Sequence, residues 1–181
     1  GGLEHYDERE PVADAGGAGA VSVNNHRPHV LVLPEDEANE ELVNGFLLDP
    51  SIKLRNIQVL PSAGGWSKVL DSFVASHIAG LRQFKDRHLV LLVDFDDHVE
   101  ERTAKFLEAF PEDLRDRVFL LGTKTEPEPL RKQLGQSLEH IGKTLAAECL
   151  HDEDTMWQHD LLAHNAAERA RLNATVKEIL F

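Results

Sequence analysis

From Pro28 to Leu121 the chain alternates short apolar runs with longer stretches of helical period. The runs His29-Val-Leu-Val-Leu33, Ile57-Gln-Val-Leu60, Leu89 to Phe95 and Arg117-Val-Phe-Leu-Leu121 are rich in Leu and Val and bounded by charge or turn residues. Runs this short and apolar predict strands buried on both faces. Between the first two, Glu37 to Leu48 carries Leu42, Val43, Phe46 and Leu47 at helical spacing. After the turn at Pro61 to Gly65, Ser67 to Phe84 lines Val69, Leu70, Phe73, Val74, His77, Ile78 and Leu81 along one face. A third helix runs from about Glu100 to Phe110 and stops at Pro111. Four strands joined by three helices predict an α/β fold, a four-stranded parallel, doubly wound sheet with helices on both faces, because each parallel crossover needs its helix.

The rest of the chain has a different character. Residues Gly1 to Arg27 mix acids with Ala13-Asp-Ala-Gly-Gly-Ala-Gly-Ala20 and show no period, the composition of a flexible arm. Residues 131–181 read as a helical extension packed on the α/β domain of residues 28–130, with Leu138, Ile141, Leu145, Leu172, Val176, Ile179 and Leu180 as apolar positions. No stretch approaches the ~20 apolar residues of a membrane span, and the first residues lack the basic-then-apolar pattern of a secretory leader. Cys149 is the single cysteine, which excludes an internal disulfide or a Cys-rich zinc site and fits a reducing compartment, the cytoplasm.

Chemistry concentrates at the predicted strand ends. His88-Leu-Val-Leu-Leu-Val-Asp-Phe-Asp-Asp-His98 closes on three carboxylates, and alternation along a strand puts Asp94 and Asp96 on one side. The first strand ends in Pro34-Glu-Asp-Glu37 and the second in Pro61-Ser-Ala-Gly-Gly-Trp-Ser-Lys68. With the first and third strands as neighbours, their acids face one another across the crevice where strand order reverses, the usual ligand site of open α/β sheets. That many like charges in one place call for a hard cation with oxygen ligands, Mg²⁺ or Mn²⁺. Capping and the helix dipole account for Glu37 and Asp97 as well as chemistry does. Gly64, Gly65, Ser67 and Lys68 are candidate phosphate contacts, through backbone N–H groups and one cation, or else a glycine turn with Ser67 as N-cap. A formal net charge of -13 argues against an autonomous, nonspecific nucleic-acid binder, so contact with DNA or RNA would need a metal or a partner.

In this order the three segments resemble the TOPRIM domain, shared by topoisomerases, bacterial primases, small ribosomal-RNA maturases and the overcoming-lysogenization-defect (OLD) nucleases. That family has a glutamate after its first strand and an Asp-x-Asp after its third, on a four-stranded parallel sheet. The resemblance covers roughly Pro28 to Leu130. Glu35 matches the glutamate by place, and Asp94 and Asp96 match the Asp-x-Asp. Val59-Leu-Pro-Ser-Ala-Gly-Gly65 is similar to the glycine-bearing segment of OLD-type members, and Glu126 or Glu128 stands for their extra acidic position. The family's usual Glu-Gly is replaced here by Glu35-Asp36 after Pro34, which keeps Glu37 as a rival to Glu35. Tyr6, the only tyrosine, falls in the expected arm, so a topoisomerase-like nucleophile within the domain is not expected. One cysteine excludes a primase zinc module, and no P-loop pattern occurs, so an ATPase of the OLD kind would be a separate protein.

The resemblance implies a Mg²⁺- or Mn²⁺-dependent phosphodiesterase, a nuclease cutting DNA or RNA. Glu35, Asp94 and Asp96 would hold the metal and Glu35 or Glu37 would act as general acid or base, with Asp36, Asp97, Glu126 and Glu128 as supporting or alternative ligands. A non-catalytic TOPRIM-like subunit that binds metal or a partner is the alternative, suited by the negative charge, the arm and the helical tail. A receiver-like phospho-acceptor also places acids after the first and third strands, but its lysine after a fifth strand has no counterpart in this pattern. His151, His159 and His164, near Trp157, fit no compact zinc spacing and read as surface or core histidines. Cys149, among Leu145, Ala146 and Leu150, reads as a small core residue.

Overall fold

The computed structural model describes residues 22–181. Strands β1 (His29–Pro34), β2 (Ile57–Val59), β3 (Arg87–Leu92) and β4 (Val118–Leu121) form one all-parallel sheet in the order β2-β1-β3-β4. Helix α1 (Glu37–Phe46) joins β1 to β2, and α4 (Val99–Ala109) joins β3 to β4. Between β2 and β3 the expected single helix is wound in three pieces: α2 (Trp66–Ser72), a π-helical segment Phe73–His77, and α3 (Ile78–Gln83). The π segment starts at the fully buried Phe73. After β4 come α5 (Pro127–Leu134), α6 (Leu138–His151) and α7 (Ala166–Leu180).

The two-residue period of the strands sorts the core. Leu31, Leu33, Leu89, Leu91, Val118 and Leu120 pack with Val69, Phe73, Leu81, Phe106 and Phe110, which belong to α2, α3, α4 and the segments beside them. The intervening Val30, Val32, Val90, Leu92, Phe119 and Leu121 pack instead with Val43 of α1 and with Leu172, Val176 and Leu180 of α7. Helices therefore flank the sheet, and the near-continuous apolar runs follow from burial on both sides. Helix α6 stacks outside α1, with Leu138, Ile141 and Leu145 against Leu42. Helix α7 also covers the β4 edge: Glu168 Oε2 accepts the Leu120 N–H at 2.9 Å, and the Arg171 guanidinium donates to the Val118 carbonyl. A strand edge occupied in this way cannot pair with another chain. Among the described residues no helix is long and apolar enough to cross a membrane.

Of the expected N-terminal arm, residues 1–21, including Tyr6, lie outside the described residues. The residues just after them are docked against the domain. Val23 is buried in the core, Asn25 Oδ1 accepts from Arg87 at 2.8 Å, and the His26 ring meets the edge of Phe84. Val23, Asn25 and His26 hold this short stretch at the N-terminal end of the sheet.

That end of the sheet also holds neutral histidines. His29 is buried, its Nδ1 lies 2.7 Å from the Arg27 carbonyl, and its Nε2 accepts from Arg87 Nε at 3.0 Å. A ring that accepts from an arginine carries its one proton on Nδ1. Burial lowers the pKa of His29, His77, His88 and His164 below the ordinary 6.5, and Arg87 adds to the effect at His29 and His77. Each contributes stability that is present above pH 6.5 and lost as the pH falls below it, because the unfolded chain then binds more protons. NMR titration of the ring resonances is expected to give four midpoints below 6.5. A midpoint at or above 6.5 for His29 would break the neutral assignment.

Candidate metal centre

The chain leaves β1 toward β2 on one side and returns to β3 on the other, so strand order reverses between β1 and β3. Pairing of Pro34 with Leu92 brings the residues after both strands to the same crevice. Past Leu92 the third strand keeps bonding to the β4 side, with Val93 N–H to Leu121 O and Phe95 N–H to Thr123 O, both at 3.0 Å. On the β1 side the backbone has already turned into α1. The Asp94 N–H is therefore met by a side chain, Glu35 Oε2, at 2.6 Å. Asp36 caps α1, accepting from the Asn39 backbone N–H at 3.0 Å. Asn39 Nδ2 then bridges Asp36 Oδ1 at 2.9 Å and Asp94 Oδ1 at 2.8 Å. Glu35, Asp36 and Asp94 each present an oxygen within 4.8 Å of the others.

Burial sets the electrostatics. Asp94 is pushed up to about 7, first by desolvation and then by the charges of Glu35, Asp36 and Asp96, against the lowering effect of the Asn39 hydrogen bond. Glu35 is also raised, again mainly by burial, with the Asp94 N–H bond and Arg102 opposing. Three carboxylates with one guanidinium nearby, that of Arg102, are short of positive charge. The donor set is hard, all oxygen and partly buried, and Asn39 adds a fully buried amide whose Oδ1 has no partner. These features fit a metal ion.

Asp96 is not in this group. Asp96 and Asp97 take left-handed φ values of 47° and 61°, which ends the strand alternation that would have placed Asp96 beside Asp94. Asp tolerates that region better than most residues, so the turn costs little here. The exposed Asp96 carboxylate pairs with Arg102 Nη1 at 2.7 Å, and the same nitrogen donates to the Asp94 carbonyl at 2.7 Å. Arg102 also stacks over Trp66, 4.3 Å from its ring centre, and Lys105 lies over the same ring.

The other expected residues take separate places. Glu37 is exposed in the first turn of α1, outside the carboxylate group. Asp97 is exposed, its N–H bound to the Lys124 carbonyl at 2.8 Å. Glu126 occupies the N-cap position of α5 without a capping bond, and Glu128 is paired with Arg131 at 2.7 Å, which lowers its pKa. The N–H groups of Gly64 and Gly65 both donate to the Glu35 carbonyl, at 2.8 and 3.2 Å. They hold the β1 and β2 loops together instead of facing solvent. Ser67 does not cap α2, whose N-cap position is Gly65, and both Ser67 and Lys68 are exposed. His164 bonds the Gly122 carbonyl at 2.7 Å, His159 accepts from Leu161 N–H, and Cys149 is buried.

Asn39, Arg102 and Trp66 are the residues that the sequence pattern alone leaves out. Only Asn39 has a local signal, its place three residues after an Asp that can cap a helix. Comparison of the chain with family models, with curated proteins and with solved structures found no match.

Proposed function

We propose that the chain is a Mg²⁺- or Mn²⁺-dependent phosphodiesterase of the TOPRIM kind that cuts nucleic acid. The observation that carries this reading is the convergence of Glu35, Asp36 and Asp94 at the β1–β3 reversal point. Those three residues would hold the cation. When bound, it supplies Lewis-acid stabilisation of phosphate charge and a more acidic water. The protein's own groups do the rest. Glu35 keeps one oxygen on the Asp94 N–H, which leaves the other either to hold the cation or, where Asp36 and Asp94 hold it alone, to take a proton as general acid or base. Lys68 and Lys105 are exposed on helices α2 and α4 and are the cations that would meet a phosphate backbone. With a net charge of -13 the chain has little attraction for nucleic acid beyond such local contacts, which favours a separate partner, such as an ATPase, to deliver the substrate.

One observation favours a second reading, a non-catalytic metal- or partner-binding subunit. The second acid of Asp94-Phe-Asp96 is engaged by Arg102 and does not join the cluster. A receiver-like phospho-acceptor has less support, because the sheet has four strands among the described residues.

Incubation of single- and double-stranded DNA and RNA with Mg²⁺, Mn²⁺ or EDTA separates these readings. Metal-dependent cleavage that disappears in the Asp94→Ala, Asp96→Ala double variant is the expected result. Full cleavage by that variant would sink the assignment, and metal binding without turnover would move it to the second reading.

A further inference from the structure

We propose that Asn39 is a fourth oxygen ligand of the metal centre, brought to the ion by a half-turn of its side-chain amide. The inference rests on the reading of Glu35, Asp36 and Asp94 as metal ligands and extends it to a neutral residue. Asn39 lies in the first turn of α1 and is fully buried. Its Nδ2 is used twice, on Asp36 and Asp94, while its Oδ1 has no partner among the described residues. A buried acceptor left unpaired costs about 1–3 kcal/mol, and bonding to a cation would give this oxygen a partner.

Exchange of the two ends needs only rotation about the Cβ–Cγ bond, a broad torsion that leaves the backbone in place. With the carboxylates bare, the donor end belongs between them, since it answers two negative oxygens. With a divalent cation among the carboxylates, the same N–H₂ would face positive charge, and the acceptor end is the one attracted. The spacing already suits coordination. Neighbouring oxygens around Mg²⁺, at its usual bond length, lie about 2.9 Å apart. Asn39 Nδ2 stands 2.9 Å from Asp36 Oδ1 and 2.8 Å from Asp94 Oδ1, so the half-turn puts an oxygen at that vertex. Three carboxylates and an amide oxygen form a set that selects hard cations over thiophilic ones.

A crystal of the wild-type protein grown with Mn²⁺ tests this directly. The expected result is an anomalous peak at bonding distance from the Asn39 amide as well as from Glu35, Asp36 and Asp94. A peak on the three carboxylates with Asn39 still donating to Asp36 and Asp94 overturns the inference and leaves the metal reading standing. Calorimetric titration with Mn²⁺ gives a second measure through two variants. Asn39→Asp keeps an oxygen and loses the donor; Asn39→Leu loses both. A ligand role predicts that Asn39→Asp binds Mn²⁺ at least as tightly as wild type and that Asn39→Leu binds at least ~10-fold more weakly. Equal weakening in both variants means that Asn39 serves only as a donor, which overturns the inference. Absence of Mn²⁺ from the wild type in both experiments overturns the metal reading and this inference with it.

Discussion

Asp94→Asn is expected to stabilise the metal-free protein at pH 8 by about 4 kcal/mol, an unusual direction for a change at a buried polar site. The expected size comes from the carboxyl itself. Its pKa rises from 3.8 to about 7 on folding, and that gap corresponds to about 4 kcal/mol of penalty on the ionised form. The sign follows from proton counting. Between 3.8 and about 7 the folded protein binds a proton that the unfolded chain has released, so stability is lost as the pH rises through that window. The asparagine has no charge to desolvate, and its carbonyl oxygen can accept the bond that Asn39 Nδ2 now gives to Asp94. Urea unfolding in EDTA checks the claim: the variant is expected to lead wild type by about 4 kcal/mol at pH 8, with most of that lead gone at pH 4. Divalent cation should close the gap from the other side, stabilising wild type more than the variant. Equal stability of the two proteins at pH 8 without metal would show that Asp94 is not strained by burial.

That strain marks the border between what the chain's pattern discloses and what it hides. The strands were legible because Leu and Val runs of that length have few other uses, and every residue of β1 is indeed buried. Glu35 and Asp94 were legible for a related reason, since acids directly after such runs must sit at a strand end. Their juxtaposition required one further fact, the pairing of β1 with β3, which a sequence poses as a condition and only the fold fulfils. Asp96 shows the limit of alternation. The rule holds to Phe95 and stops where two consecutive residues turn left-handed, and Asp-Asp carries no mark that separates a continued strand from such a turn. The helix between β2 and β3 has a similar history: its apolar period holds at the buried Val69, Phe73 and Leu81 and fails at Val74, which is exposed where the π segment Phe73–His77 interrupts the helix. Asn39 was hidden because its meaning depends on a partner 55 positions away.

Gly142→Ala is expected to cost about 2 kcal/mol of stability, although alanine is the better helix former. The reason lies in how α6 crosses α1. A Cβ on Gly142 would stand 2.0 Å from the Leu42 carbonyl oxygen and 2.8 Å from the Phe46 nitrogen, and a Cβ on Gly45 would stand 2.1 Å from the Glu139 carbonyl oxygen. Each glycine thus faces the backbone of the other helix, which cannot step aside as a flexible side chain would. Overpacking at such a contact costs up to about 3 kcal/mol. The gain in helix propensity returns about 1 kcal/mol. Gly80→Ala in α3 is the milder comparison, because its added carbon meets no backbone, only the Arg87 guanidinium 2.8 Å away, which can shift at the cost of its bonds to Asn25 and His29. Urea denaturation should therefore show Gly142→Ala unfolding well before wild type and Gly80→Ala between the two. An unchanged midpoint for Gly142→Ala would deny the close crossing. The contact also bears on the metal centre, since α1 carries both the Asp36 cap and Asn39. Pushing α1 away from α6 moves those two groups relative to Glu35 and Asp94, which stand at the sheet ends. Weaker Mn²⁺ binding in Gly142→Ala, by calorimetry under conditions where the variant is fully folded, is the expected consequence.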